Sequence, residues 1–181
     1  MNETKIAPRI YVACLASYNA GKLHGRWIDA TIGADSIRDE ISAMLAESPE
    51  PGAEEFAIHD HEGLGAIGEH ESLDRVAEIG EAIGAAGDNA PALLAWLDAE
   101  PGRDPGEFED RYRGEWPSLA DYVEDFWEEQ GWQQTADRLA GRSWWNPTRY
   151  IDWDRMAHDL ELSGDVETHD APGGVYVFDA T

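Results

Sequence analysis

Arg9-Ile10-Tyr11-Val12-Ala13-Cys14-Leu15-Ala16-Ser17-Tyr18 is a run of β-branched, aromatic and small apolar residues, broken by Asn19-Ala20-Gly21. Leu23 to Ile28 resumes the same character, so the pair reads as two strands around a turn. Working outward, Ser36 is the expected cap of a helix carrying Ile37, Ile41, Met44 and Leu45, the i, i+4, i+7, i+8 set of one buried face. Pro49, Pro51 and Gly52 end that helix, and Glu55 to Glu62 returns as a strand. This part of the chain reads as mixed α and β, and an α+β fold is expected.

The middle of the chain is helical. Ser72 opens a helix with Leu73, Val76, Ile79 and Ile83 inward, and Pro91 fits the first turn of another that runs to Glu100. Pro101-Gly102 and Asp104-Pro105-Gly106 form the strongest boundary signal. Beyond it, Phe108 to Trp116 fits either strand or helix. Ser118 to Gln130 is the clearest helix, with Leu119, Tyr122, Val123, Phe126 and Trp127 on one face. Asp152 caps a further helix, with Ile151 placed to staple against Met156. Asp165–His169 and Gly174–Asp179 form a hairpin about Ala171-Pro172-Gly173.

Of the 181 residues, 38 are Asp or Glu and 13 are Lys or Arg, a net charge of −25. With eight Trp, six Tyr and four Phe, the chain can build a core and is not a disordered acidic tail. Only two Lys are present, and the charge opposes binding to nucleic acid or to anionic membranes. The N-terminus lacks the apolar core of a signal peptide, and the longest strongly apolar run, Ile10 to Ala16, is far below the ~20 residues of a membrane span. A soluble cytoplasmic protein is expected. The single cysteine, Cys14, reads as a small buried hydrophobe.

The acid is concentrated. From Asp39 to Gly102 there are 16 acids and one base, Arg75. Asp74, Glu78 and Glu81 fall at i, i+4 and i+7, one outer stripe whose steps of about 6 and 4.5 Å are comparable with phosphate spacing along a nucleic-acid strand. The Ser118 helix carries Asp121, Glu124, Asp125, Glu128 and Glu129 with no base among them. Three i, i+4 like-charge pairs cost roughly 0.2–0.5 kcal/mol each, and Glu128 and Glu129 oppose the helix dipole in the last turn. Local rules broken without compensation point to function.

Other motifs are weak. Gly63-Leu64-Gly65-Ala66-Ile67-Gly68 matches G-x-G-x-x-G, but Asp60, Glu62, Glu69 and Glu71 flank it and no βαβ unit follows, so a flexible turn is expected rather than a nucleotide site. His59 and His61 on one strand face would need His24 or His70 to complete a zinc site, and that spacing is unspecific. No nucleophile, phosphate or redox motif is present. Neither enzyme activity nor a cofactor is expected. Six of the eight Trp lie between Trp116 and Trp153, a density that suits a dimer interface.

Several blocks in order resemble the ArdA antirestriction family, over roughly Arg9 to Phe178. They are Ile10 to Gly21, Gly25-Arg26-Trp27-Ile28-Asp29, the segment Ala53 to Gly63, which is similar to the family's antirestriction motif, Tyr150-Ile151-Asp152-Trp153, and Gly173 to Phe178. The resemblance implies an elongated homodimer whose chains have three small domains: a mixed α/β domain (1–64), a helical domain (65–104) and an α+β domain (105–181) that dimerises. It also implies carboxylates that imitate the phosphates of bent DNA in the DNA groove of the methyltransferase core of type I restriction-modification enzymes, in proteins carried by mobile elements. The expected mimic residues are Glu54, Glu55, Asp60, Glu62, Glu69, Glu71, Asp74, Glu78, Glu81, Asp98, Glu100, Asp121, Glu124, Asp125, Glu128 and Glu129. Trp116, Trp144, Trp145 and Tyr150 are expected at the dimer interface. A dimer's charge would match about 85 Å of duplex, near 25 base pairs. Two rival readings remain: an acidic enzyme of a salt-adapted cell, and an acidic module for some other basic protein.

Overall fold

The computed structural model describes residues 6–140 and 150–180. The chain forms two compact units, Met1–Phe108 and Glu109–Thr181. Each has its own three-stranded antiparallel sheet with helices beside it, an α+β architecture.

In the first unit the sheet has the order β2-β1-β3, from β1 (Arg9–Cys14), β2 (Gly25–Asp29) and β3 (Phe56–Glu62). The opening run is therefore not strand to its end. Leu15–Asn19 coils into a short helix, α1. Ser17 is fully buried there, with its hydroxyl 2.9 Å from that of Ser48, and the Leu15 N–H donates to the Glu55 carbonyl at 3.0 Å. A five-residue helix is too short to carry a periodicity.

The next helix, α2 (Ala34–Ala46), buries Ile37, Ile41 and Met44 as expected and leaves Leu45 half-buried. Ser36 does not cap it. Asp29 caps a 3-10 turn (Ala30–Ile32), and Gly33, at φ +82°, turns the chain directly into the helix three residues earlier. α3 (Leu73–Ala85) begins as read: the Ser72 hydroxyl accepts the Arg75 N–H at 3.2 Å. α4 (Ala90–Ala99) has Pro91 in its first turn and buries Leu93, Trp96 and Leu97.

The glycine-rich stretch between β3 and α3 is a packed loop rather than a flexible turn. Leu64 is fully buried, and Gly65, at φ +66°, lies so close to Leu97 of α4 that a Cβ would come within 2.8 Å of it. Gly65 thus permits close packing against a helix, and Gly63 packs against Ile6 and Pro8.

The second unit has the sheet order β4-β6-β5. The ambiguous segment contains both alternatives: α5 (Phe108–Arg111) followed by β4 (Tyr112–Trp116). β5 (Val166–Ala171) and β6 (Gly174–Asp179) form the expected hairpin, with Ala171 opposite Gly174 across Pro172-Gly173. α6 (Leu119–Glu129) and α8 (Trp153–Ser163) pack on each other, and Leu119, Val123, Ala157, Val166 and Val177 form the core. Asp152 caps α8 by accepting the Arg155 N–H at 3.0 Å. Between them, α7 (Trp132–Ala140) was not anticipated: its apolar face is a narrow one, Trp132, Ala136 and Leu139, in an otherwise polar segment.

Candidate functional site, an acidic surface

The expected mimic carboxylates are all exposed except Glu71, which is half-buried. Glu54 and Glu55 precede β3, and Asp60 and Glu62 lie on it. Glu69 and Glu71 follow the glycine loop; Asp74, Glu78 and Glu81 lie on α3. Asp98 is on α4, Glu100 just beyond it, and the last five are on α6. The two groups belong to different units: Glu54 through Glu100 to the first, α6 to the second.

The groups differ in how they are compensated. In the first unit the few bases are drawn onto carboxylates of the same chain. Arg9 pairs with Glu62 at 2.7 Å, Arg38 with Asp74 at 2.6 Å, Arg75 with Glu78 at 2.8 Å and Arg103 with Glu100 at 3.5 Å. The stripe on α3 is thus partly neutralised. Of its three carboxylates only Glu81 has no base beside it among the described residues. Asp74 and Asp35 hold the Arg38 guanidinium above its ordinary pKa, and Glu40 and Glu47 do the same for Arg26. These long-range partners on α2 could not be read from the spacing within α3. Exposed pairs of this kind contribute little stability each.

On α6 the expectation of an uncompensated face holds. Glu124, Asp125, Glu128 and Glu129 are exposed, and no base among the described residues pairs with them. Asp121 is different. Its backbone N–H donates to the Ser118 hydroxyl at 3.2 Å, and that hydroxyl donates to its carboxylate at 2.5 Å, so it completes the N-cap and favours the helix. Further exposed carboxylates in this unit lay outside the sequence prediction: Asp137 is on the unanticipated α7, and Asp154 and Asp159 are on α8, which was read for its cap and staple.

β3 carries a bulge. Tyr11 faces Asp60 while Val12 faces Ile58, which leaves His59 as the extra residue and breaks the alternation expected for His59 and His61. His59 lies beside a cleft of about 540 Å³ lined by Tyr18, Asp60, His61, Ile67 and Glu69 among others. The Tyr18 ring meets it edge-on at 4.7 Å, and Glu69 lies 3.8 Å from its Nε2. His24 is turned elsewhere, with Nε2 2.7 Å from the Met44 carbonyl. Among the described residues no group of three or more His, Cys, Asp or Glu is placed to hold a metal.

The aromatic segment is only partly core. Trp116 is half-buried against Tyr122, with its Nε1–H donating to the Arg113 carbonyl at 2.9 Å. Phe126 and Trp132 are each 44% exposed, and Tyr150, Leu139 and Leu162 are more so. Trp144 and Trp145 lie outside the described residues. Among the described residues no helix is long and apolar enough to cross a membrane.

An α+β protein with exposed carboxylates on both units, and with most of its described cations paired to its own carboxylates, is of a polyanionic class. The chain matches the family model described as antirestriction protein (ArdA) over residues 10–173, and it belongs to that family. No curated protein matches it.

Proposed function

We propose that this protein defeats restriction by DNA mimicry, as a cytoplasmic homodimer whose carboxylates occupy the DNA groove in the methyltransferase core of a type I restriction-modification enzyme. The observation that carries the reading is the outer face of α6, where Glu124, Asp125, Glu128 and Glu129 remain exposed and unpaired among the described residues. A face shaped for stability alone would interleave cations there. The proposed organisation keeps residues 1–64, 65–104 and 105–181 as modules, with the dimer formed through the last. The reading invokes no catalytic residue and no cofactor.

The test is competition. The protein and a duplex containing the recognition sequence are titrated against a type I methyltransferase core at several salt concentrations. Displacement of DNA is expected, weakening with salt but less steeply than DNA binding itself, because a protein surface condenses fewer counterions. Simultaneous binding of both would sink the mimicry.

A further inference from the structure

The sheet of the first unit has one face buried and one open. Ile10, Val12, Ile28 and Ile58 are buried, and α2 packs on β1 and β2. The open face is built from Arg9 and Tyr11 of β1, their β2 partners Asp29 and Trp27, and their β3 partners Glu62 and Asp60. Cross-strand partners share a side of the sheet, so these six residues form one surface. Trp27 is 37% exposed, and the Arg9 and Glu62 side chains are 44% and 54% exposed.

A guanidinium already lies on this surface. Arg9 Cζ is 4.6 Å from the centre of the Trp27 ring, while its Nη2 and Nε reach Glu62 Oε2 at 2.7 and 2.8 Å. The Tyr11 ring stands 5.6 Å from that of Trp27. An aromatic face attracts a planar cation, and a carboxylate at its edge fixes the fork of N–H donors. Lysine's compact ammonium lacks the plane that this arrangement uses. Asp60 and Asp29 extend the row. Asp60 Oδ1 accepts the His61 N–H and Asp29 Oδ1 accepts from Thr31, and both residues are exposed.

We infer that this open sheet face is a docking surface for an arginine-bearing segment of a basic partner protein, with Arg9 as the chain's own occupant, which an incoming guanidinium joins or displaces. The inference rests on the proposal of a basic enzyme partner and specifies where the first unit engages it and through which side chain. Charge chooses the occupant: three carboxylates surround two aromatic rings, and the one base among them is already neutralised. A nucleic-acid strand would stack on the same rings but is repelled by Asp29, Asp60 and Glu62.

The test uses the full-length chain and oligoarginine and oligolysine peptides of equal length, titrated calorimetrically at moderate salt. Oligoarginine is expected to bind about threefold more tightly than oligolysine. Trp27→Leu should erase that preference while leaving oligolysine binding unchanged, since no charge is altered. Trp27→Phe should keep part of it, and Arg9→Gln should tighten oligoarginine binding by uncovering the ring and Glu62. Equal affinities in the unaltered protein, a preference that survives Trp27→Leu, or weaker oligoarginine binding by Arg9→Gln would each overturn the inference. So would binding of a single-stranded oligonucleotide that depends on Trp27. If Trp27→Leu unfolds the unit, Trp27→Phe and Arg9→Gln decide the matter. Loss of the arginine preference with DNA competition intact removes this inference alone. The converse result removes only the mimicry.

Discussion

Gly80 and Gly84 lie one turn apart on α3, and the same substitution should move stability in opposite directions at the two. A Cβ on Gly80 would stand 2.3 Å from the carbonyl oxygen of Ala30 and 2.7 Å from its Cβ, so α3 lies directly on the 3-10 turn. A Cβ on Gly84 would meet only the Thr31 methyl, at 3.4 Å. Alanine gains about 1 kcal/mol over glycine within a helix. At Gly84 that gain should appear nearly whole. At Gly80 it should be reversed, because the turn is backbone and cannot give way, leaving a net loss of roughly 1–2 kcal/mol. Urea unfolding midpoints of Gly80→Ala and Gly84→Ala measure both, and a stabilised Gly80→Ala would contradict the packing described. Three tyrosines of the second unit make a pH prediction. Burial raises the pKa of Tyr112, Tyr122 and Tyr176 above the ordinary 10.0, with added repulsion from Asp179 at Tyr122 and from Glu115 at Tyr176. Their folded forms hold the phenolic proton more tightly than the unfolded chain does. The stability they contribute is therefore complete below pH about 10 and is lost as pH rises through the folded values. The melting temperature should fall above that pH, and the triple change to Phe should flatten the fall.

Among the elements, α6 offers the sharpest separation of stability from function. Changing Glu124, Asp125, Glu128 and Glu129 to their amides while keeping Asp121, which caps the helix, relieves three i, i+4 repulsions and the unfavourable last turn. Stability should rise by roughly 1 kcal/mol. Protection of unmodified phage DNA from restriction should fall strongly, whereas Glu124→Gln alone should do little. A single substitution that abolished activity in a folded protein would instead point to catalysis. The elements also explain what the sequence could convey. α2, α3, α4, α6 and α8 and the β5-β6 hairpin were legible because each carries a full apolar period or a turn signal. α1 was hidden by its shortness, and α7 by its overall polarity, which leaves only Trp132, Ala136 and Leu139 to mark its apolar stripe. The His59 bulge, the buried Leu64 and the pairing of Arg38 with Asp74 arise from contacts between distant segments, which leave no mark on local spacing. The acidic surface was legible as composition, but which carboxylates are neutralised was not.

For the whole molecule, both units expose large apolar side chains: Tyr18, Leu23, Trp27 and Ile32 on the first, and five on the second, which lies in the aromatic-rich part of the chain. Phe126, Trp132, Leu139, Tyr150 and Leu162 are all exposed there. A chain carrying −25 associates with a copy of itself only where apolar burial outweighs like-charge repulsion, and this unit supplies the means. Light scattering at micromolar concentration should give twice the 20.0 kDa chain mass, and Trp132→Glu with Leu162→Glu should return it to one chain. A monomer in the unaltered protein would refute dimerisation through this region. Cys14 has a different consequence. It is the only thiol in the chain and, as the last residue of β1, is fully buried, with Ser48 Oγ 3.5 Å from its sulfur. Burial pushes its pKa up, but hydrogen bonds from Ser48 and Ser17 outweigh that and leave it below the ordinary value. An alkylating reagent can therefore reach it only while the first unit is open. Its rate of modification is a clock for that opening, read without any probe having been added, and an enzyme that grips the first unit would slow the clock.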